Sequence, residues 1–173
     1  KIGGHQFYVL TLKEENLTLA YDLKEKMWSQ WTDLDGNYVP IVASTYTSAL
    51  VSLLQHETNG RLYLSDMSYA TDDGSTIPVD IYTPNFDGGT RRRKQMNMLK
   101  FLTDQRAGSV LKVRTNDFDY DPTRWTNFRS VDLSQKDPML TECGTFVRRV
   151  HNLRYNSPIR MPRIQGVEMQ LDI

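Results

Sequence analysis

The chain has 173 residues, of which 39% are hydrophobic and 24% are charged, and its formal net charge is +0. This composition is typical of one folded domain or two small ones, and it argues against a disordered chain. No apolar run of about 18 residues is present to span a bilayer, and the single cysteine, Cys143, excludes an internal disulfide and a cysteine-based zinc site.

The first strands are predicted from alternation in the N-terminal segment. Residues 6–12 read as a strand, residues 14–16 as a turn, and residues 17–23 as the partner strand. In the partner, one face carries Leu17, Leu19, Tyr21 and Leu23. This is the period of two expected of a half-buried strand.

A short turn then leads into "MWSQW", whose Trp28 and Trp31 are predicted to pack at a sheet edge or beside a sheet. "DLDGNY", residues 33–38, is a further hairpin signal. Residues 46–55 favour a strand, although Leu50, Leu53 and Leu54 would also fit a helix face. The strand "RLYLSD" and the Asp-Gly turn "TDDGS" follow.

From Ile77 onwards the predicted strands become longer. The last alternates most plainly, with Val167, Met169, Leu171 and Ile173 on one face. The six candidates are "IPVDIYT", "NMLKFLTD", "SVLKVRTND", "WTNFRSVDL", "TFVRRVHNLRY" and "IQGVEMQLDI".

No long helical period with caps occurs, so the sequence predicts an all-β fold. Short strands with polar turns are typical of sandwiches, barrels and propeller blades. A blade takes roughly 40–45 residues. We therefore expect residues 1–76 to form one or two blades, and residues 77–173 to form an antiparallel β region that packs with or completes the same propeller.

The ordered set of these segments resembles the packaged-DNA stabilisation proteins, the tail hub proteins of short-tailed, podovirus-type phages. The resemblance begins with "FYVLTL" and "NLTLAYDLKEKMWSQW" and continues through "GRLYLSD" and "IPVDIYTP". It ends with the block from "KQMNMLKFLTD" to "PRIQGVEMQLDI" and so covers nearly the whole chain. One departure is "NDFDYDPTRW", where family members often have an Asp-Asp-Gly-Gly turn.

The resemblance implies the C-terminal part of a β-propeller-like body, preceded by further sequence. It also implies a homo-oligomeric ring, expected to be a hexamer, in the virion tail below the portal and adaptor proteins. There the ring retains the packaged double-stranded DNA and carries a tail needle, fibre or spike. Assembly would take place in the bacterial cytoplasm, and the single cysteine is compatible with that reducing compartment.

The alternative function is a sialidase-like propeller that binds or cleaves carbohydrate. Such a site needs arginines gathered around a substrate carboxylate, and five are available: Arg114, Arg124, Arg129, Arg148 and Arg149. No spacing fixes them in one cleft. The histidines His5, His56 and His151 have no metal-ligand spacing and are expected at the surface.

The series Asp117, Asp119 and Asp121 invites a calcium interpretation, but Pro122 and Phe128 stand where an EF-hand loop needs Gly and Glu. A solvated hairpin tip is the simpler interpretation, and a looser cation site stays an alternative. We therefore expect no catalytic site, cofactor or metal, and a structural protein rather than an enzyme.

Charge divides unevenly along the chain. Residues 1–86 carry 5 Lys or Arg and 11 Asp or Glu, a net of −6, whereas residues 87–173 carry 16 and 10, a net of +6. The strongest basic cluster is Arg91, Arg92, Arg93 and Lys94, which is a candidate contact for an acidic neighbouring subunit or for DNA phosphates, or else a solvated loop. Trp28, Trp31 and Trp125 are expected to be packing anchors.

Overall fold

The computed structural model describes residue 2 and residues 4–46, 52–66 and 68–172. Sixteen strands and no helix occur in these ranges, so the all-β prediction is confirmed. No helix among these residues is long and apolar enough to cross a membrane. The chain divides into two compact units, Lys1–Asp72 and Asp73–Ile173. The predicted boundary followed Thr76.

The first unit contains two antiparallel sheets, each of three strands in sequence order. β1 (Phe7–Leu12), β2 (Leu17–Asp22) and β3 (Met27–Trp31) form one sheet. β4 (Ile41–Tyr46), β5 (Ser52–His56) and β6 (Leu62–Ser65) form the other. A propeller blade usually has four strands, so these sheets match its meander order but not its usual strand number.

The large apolar side chains of β2 share one face, as predicted, but the opposite face of the strand is buried more deeply. Thr18 and Ala20 are fully buried, whereas Leu17 and Leu19 are half-buried. Thr18 explains the difference, because its hydroxyl accepts a hydrogen bond of 3.0 Å from the backbone amide of Val39. The segment after β3 therefore lies over the small residues of β2 and covers them.

The opposite face of the first sheet is apolar and open. Strand register aligns Tyr8, Tyr21 and Trp28 in one row and Leu10 with Leu19 in the next. Tyr8 is 58% exposed and Trp28 is 55% exposed. We call this surface, made by these five residues, the Tyr8–Trp28 face.

Two predictions in the first unit need correction. The "DLDGNY" turn forms, with the carboxylate of Asp33 accepting from the amides of Asp35 and Asn37 at 2.9 and 2.8 Å. It joins β3 to β4, which belong to different sheets, so it does not close a hairpin. The single strand predicted for residues 46–55 instead falls on the end of β4 and on β5, and residues 47–51 lie outside the described residues.

A two-stranded hairpin, β7 (Thr71–Asp72) and β8 (Ser75–Thr76), forms at the predicted Asp-Gly turn. The first sheet of the second unit contains β9 (Val79–Tyr82), β11 (Val110–Asn116), β12 (Arg129–Asp132) and β15 (Val150–Tyr155). Its strand order is β12-β11-β15-β9.

The second sheet of this unit is built around the ten-residue strand β10 (Lys94–Thr103). Its other strands are β13 (Met139–Thr141), β14 (Thr145–Phe146) and β16 (Ile164–Asp172). β16 pairs with one edge of β10, and β13 and β14 pair with the other. The segment "TFVRRVHNLRY" is thus split between β14 and β15, which belong to different sheets, and β13 was not predicted.

Both sheets of the second unit contribute to one hydrophobic core. The buried side chains come from β10, β13 and β14 on one side and from β11, β12 and β15 on the other. They are Met96, Leu99, Phe101, Leu111, Val113, Val131, Leu133, Leu140, Phe146, Leu153 and Tyr155, of which Leu133 directly follows β12. The two antiparallel sheets therefore pack face to face, as in a sandwich.

A β-bulge in β10 changes which side chains reach this core. Met96 pairs with Leu171 and Met98 with Gln170, so Asn97 is one extra residue on β10. An extra residue moves the later side chains to the other face. Met96 before the bulge and Leu99 after it are consequently both buried, although they are an odd number of positions apart.

Candidate functional site

The basic cluster predicted at residues 91–94 has two different parts. Arg91, Arg92 and Arg93 are exposed in the loop before β10. Lys94 is fully buried as the first residue of that strand. Its ammonium group donates hydrogen bonds to the backbone carbonyls of Thr90 and Arg92 at 2.6 and 2.8 Å. Lys94 therefore stabilises its own loop, and only the three arginines present charge to a partner.

The spacing of residues in the sequence indicates that Lys94 is buried, although the run of four basic residues suggested an exposed cluster. Lys94 and Met96 are two residues apart on one strand, so they share a face, and Met96 belongs to the core. The ammonium group also lies 5.6 Å from the centre of the Phe146 ring. A lysine can be buried in this way when its aliphatic stem packs and its charge meets carbonyls and an aromatic face.

A second buried cation, Arg149, lies beside the same ring. Its guanidinium is 4.4 Å from the centre of the Phe146 ring. It forms a bidentate pair with the carboxylate of Asp117 at 2.7 and 2.9 Å. It also donates to the carbonyl of Cys143 at 2.6 Å. A bidentate pair with a further carbonyl is the arrangement that makes a buried arginine tolerable.

The three aspartates of the Asp-x-Asp-x-Asp series have separate partners. Asp117 pairs with Arg149. Asp119 pairs with Arg148, and Asn85 donates to it. Asp121 accepts from the amide and hydroxyl of Thr123, and these hydrogen bonds lower the pKa of its carboxyl. Among the described residues no group of three His, Cys, Asp or Glu side chains is placed to hold a metal ion.

Arginines and aromatic rings alternate on the outer side of the β11–β15 pair. The guanidinium of Arg114 lies 4.8 Å from the centre of the Trp125 ring and 4.6 Å from that of Phe128. Arg154 lies 5.0 Å from Phe128 on this side. Stacking of this kind restrains both partners. Trp125 is half-buried in this row, a position that fits a packing anchor.

Asp80 is hydrogen-bonded to this row of arginines and aromatic rings. Its carboxylate accepts hydrogen bonds from Arg154 at 2.8 Å and from Asn152 at 3.1 Å. Burial raises the pKa of Asp80, but these two hydrogen bonds and the charges of Arg154 and Arg114 together hold the pKa below its usual value. Asn152 in turn accepts from Arg114 at 2.8 Å. The row is therefore a connected polar network.

The five arginines considered for a sialidase site are held by different groups. Arg114 and Arg124 stack on aromatic rings, at 4.8 Å from Trp125 and 5.1 Å from Phe118 respectively. Arg148 and Arg149 pair with two different aspartates. The fifth, Arg129, donates to the carbonyl of Thr141 at 2.7 Å. The guanidinium groups are thus already engaged, each with its own partner.

The other two tryptophans lie on β3. Trp31 is half-buried and its ring centre is 5.0 Å from that of Phe7. Trp28 contacts Tyr21 at the same distance but is largely open to solvent. Trp31 therefore packs within the first sheet, while Trp28 belongs to the open Tyr8–Trp28 face.

His151 departs from the expected surface position. The imidazole is 6% exposed, and its Nε2 atom is buried without a hydrogen-bond partner among the described residues. Burial, and next the charge of Arg149, lower the pKa of His151 to about 4. His5 and His56 are different, since His5 pairs with Asp22 at 2.6 Å and His56 accepts from the amide of Thr58 at 3.2 Å.

His151 lines a cleft of about 270 Å³ between the two sheets of the second unit. The walls are mainly apolar and come from β10, β15, β16 and the segment after β9. They comprise Thr83, Pro84, Asn85, Phe86, Leu99, Phe101, Leu153, Val167 and Met169. No local sequence pattern indicates this cleft, because it depends on how two sheets diverge.

The buried His151 predicts a pH dependence of stability. The unfolded chain gains a proton near pH 6.5, whereas the folded protein gains it only near pH 4. Stability is therefore complete above pH 6.5 and decreases as the pH falls through this window. We expect a loss of about 2–3 kcal/mol from this group between about pH 7 and about pH 4.5, measured by urea denaturation.

The variant His151→Phe isolates this contribution, because it keeps a ring in place and removes the titrating group. Its loss of stability over the same pH interval should be smaller than that of the unsubstituted protein by this amount. Equal losses in the two proteins would show that His151 takes up its proton without cost in the folded state.

Comparison with protein-family models gives no match for this chain, and comparison with curated proteins gives none either. The functional assignment therefore depends on the residues and their geometry.

Proposed function

We propose that this chain is a structural subunit of the tail hub of a short-tailed phage. The observation that carries the proposal is the Tyr8–Trp28 face, an apolar sheet surface whose Tyr8 and Trp28 are more than half exposed. An exposed apolar patch of this kind usually marks a protein interface. The ordered resemblance of nearly the whole chain to the hub proteins supports the choice of this assembly.

We further propose that the two three-stranded meanders of the first unit are blades of a propeller-like body. Neighbouring blades of a propeller pack sheet against sheet, and such packing would cover the Tyr8–Trp28 face. In this proposal the chain assembles into a ring, of six copies, beneath the portal and adaptor proteins of the virion. The ring retains the packaged DNA and carries the distal tail parts, and it performs no catalysis.

The proposal is tested by the assembly state of the protein. Native mass spectrometry or light scattering of the purified protein should give a ring-sized oligomer, or a complex with purified portal and adaptor proteins. A protein that stays monomeric, does not join such a complex and binds sialylated glycans would contradict the proposal. That result would favour the sialidase-like alternative.

The three exposed arginines give a more specific prediction. Combined replacement of Arg91, Arg92 and Arg93 by Glu, with Lys94 retained, should weaken assembly by about tenfold at low salt. Salt screens charges over roughly 10 Å at 0.1 M, so the difference should shrink as salt is added. The control is replacement of the same three residues by Gln, which removes the charge without reversing it and should have an intermediate effect.

Assembly that is unchanged by the Glu variant at every salt concentration would leave these three arginines as a solvated loop. Sedimentation velocity across a salt series distinguishes the two results.

A further inference from the structure

Residues 91–93, which we call the arginine loop, are carried by a backbone that is fixed on both sides. Before the loop, the amide of Thr90 donates to the carbonyl of Asp87 at 3.2 Å. After the loop, the buried ammonium group of Lys94 binds the carbonyls of Thr90 and Arg92. The three guanidinium groups are therefore presented by an ordered segment, so a partner that binds them orders little additional backbone.

The charge of the arginine loop is not neutralised by its surroundings. All three side chains are exposed, and no ion pair among the described residues includes any of them. Three adjacent cations repel one another, and approaching carboxylates relieve that repulsion. The arginine loop is therefore an ordered basic surface that matches an acidic one.

Three turns of the first unit meet at one end of it. The side-chain amide of Asn16, in the β1–β2 turn, donates to Asn37 of the β3–β4 segment at 3.2 Å, and the amide of Tyr38 donates back to Asn16 at 2.8 Å. Lys13 of the first turn also pairs with Glu57, which directly follows β5. These contacts hold the turns together as one surface.

This surface carries three exposed carboxylates, Glu14, Glu15 and Asp35, which we call the acidic tip. Glu15 directly precedes Asn16, and Asp35 lies two residues before Asn37, so the contact between the two asparagines keeps the carboxylates in neighbouring turns. No ion pair among the described residues includes a residue of the acidic tip. The tip and the arginine loop thus offer three unpaired charges each, of opposite sign.

The two units as a whole carry equal and opposite net charges. Residues 1–72 contain 5 Lys or Arg and 9 Asp or Glu, a net of −4, whereas residues 73–173 contain 16 and 12, a net of +4. Duplex DNA would neutralise the arginine loop but would leave the acidic tip without a partner. A second copy of the chain supplies a partner for both surfaces, and this favours a second copy over DNA.

We propose that the arginine loop of one copy binds the acidic tip of the next copy. This inference rests on the proposed ring and names the surfaces that join its subunits. The loop and the tip are different surfaces, so their contact is heterologous, and a heterologous contact generates a ring when its rotation closes. The charged groups set the register between subunits and speed their association, while apolar burial supplies most of the affinity.

The test uses two variants with reversed charges. The loop variant has Glu at residues 91–93, and the tip variant has Lys at all three positions of the acidic tip. Each variant alone brings like charges together at every interface, so at low salt it should assemble about tenfold more weakly than the unsubstituted protein. In an equal mixture of the two variants, every contact between unlike copies joins opposite charges. Assembly of the mixture should therefore recover to within about threefold of the unsubstituted protein, measured by sedimentation velocity.

The mixture separates this contact from the other partners. A mixture that assembles no better than its components would overturn the proposal. Contact of loop and tip within one chain would give that result, and recovery would then require both reversals in the same chain. If the arginine loop served DNA, the loop variant would lose affinity for a short duplex while the tip variant assembled normally, which would also overturn the proposal.

A single substitution provides a matched control. Glu15→Lys should weaken assembly by about threefold at low salt. Glu25→Lys makes the same change at an exposed position in the β2–β3 turn, at the opposite end of the same sheet, and should leave assembly unchanged. Equal effects would show that total charge, and not the acidic tip, controls assembly. An unsubstituted protein that stays monomeric contradicts the ring itself, whereas a ring that ignores all of these variants contradicts only this contact.

Discussion

Replacement of Asp117 by Ala is expected to lower the free energy of unfolding by about 3–5 kcal/mol. Arg149 would then keep its charge in a buried site beside the Phe146 ring after losing both hydrogen bonds to the carboxylate. Removing one partner of a buried pair is costly because the remaining charge is uncompensated. Urea denaturation at neutral pH measures the change.

The matched control lies two residues away on the same loop. Asp119 pairs with Arg148, and these side chains are 42% and 50% exposed. An ion pair open to water contributes at most about 1 kcal/mol, so Asp119→Asn, which removes the charge and keeps a residue type that tolerates the φ of 52° at this position, should have a small effect. Similar losses in the two variants would contradict the buried character of the Arg149–Asp117 pair. They would indicate that the loop as a whole, and not this pair, sets stability.

Replacement of Lys94 by Met is expected to lower the free energy of unfolding by about 1–3 kcal/mol. Methionine retains most of the apolar stem but leaves the carbonyls of Thr90 and Arg92 without the donor that now reaches both. A hydrogen bond to a charged group contributes about 1.5–3 kcal/mol, and water replaces part of this at the exposed Arg92. The loop that carries the three arginines should also loosen, which faster amide exchange at residues 90–93 would reveal.

Arg93→Met is the control for Lys94, because it makes the same chemical change at the neighbouring exposed position. Its stability should stay within about 0.5 kcal/mol of the unsubstituted protein. If Lys94→Met is equally harmless, water must replace the ammonium group at both carbonyls. Comparison of the two variants also distinguishes effects on folding from effects on partner binding. Arg93 belongs to the cluster proposed to contact a partner, and Lys94 does not.

Strand existence could be predicted from the sequence because alternation is a local property. β1, β2, β6 and β16 all lie close to their predicted segments. β13 has only three residues, too few for alternation to be recognised. The break between β14 and β15 was missed for another reason, because the polar residues there continue a pattern that also fits one long strand.

Pairing and burial depended on contacts distant in sequence, which no local pattern contains. The bulge at Asn97 inverts the alternation of β10, so the inward residues of its second half could not be inferred from those of its first. Thr18 is buried because a later segment donates a hydrogen bond to it. His151 is buried because it shares a face of β15 with Leu153 and Tyr155, and that face packs in the core formed with the other sheet.

The candidate site was predicted least well, for a related physical reason. Arg91 to Lys94 read as one charge run, yet the strand begins at Lys94 and turns that side chain into the core. The aromatic partners of Arg114 and Arg149 are distant in sequence, so the arginines could be counted but their positions could not. Trp31 and Trp125 do pack against other rings, as large apolar side chains commonly do.

The central position of β10 has a consequence for how the second unit is made. Its partners β13, β14 and β16 are all synthesised after it, and β16 begins only at Ile164. Pairings between segments so far apart in the chain form slowly. During synthesis on the ribosome, the edge of β10 that pairs with β16 therefore stays unpaired until about sixty further residues have been added.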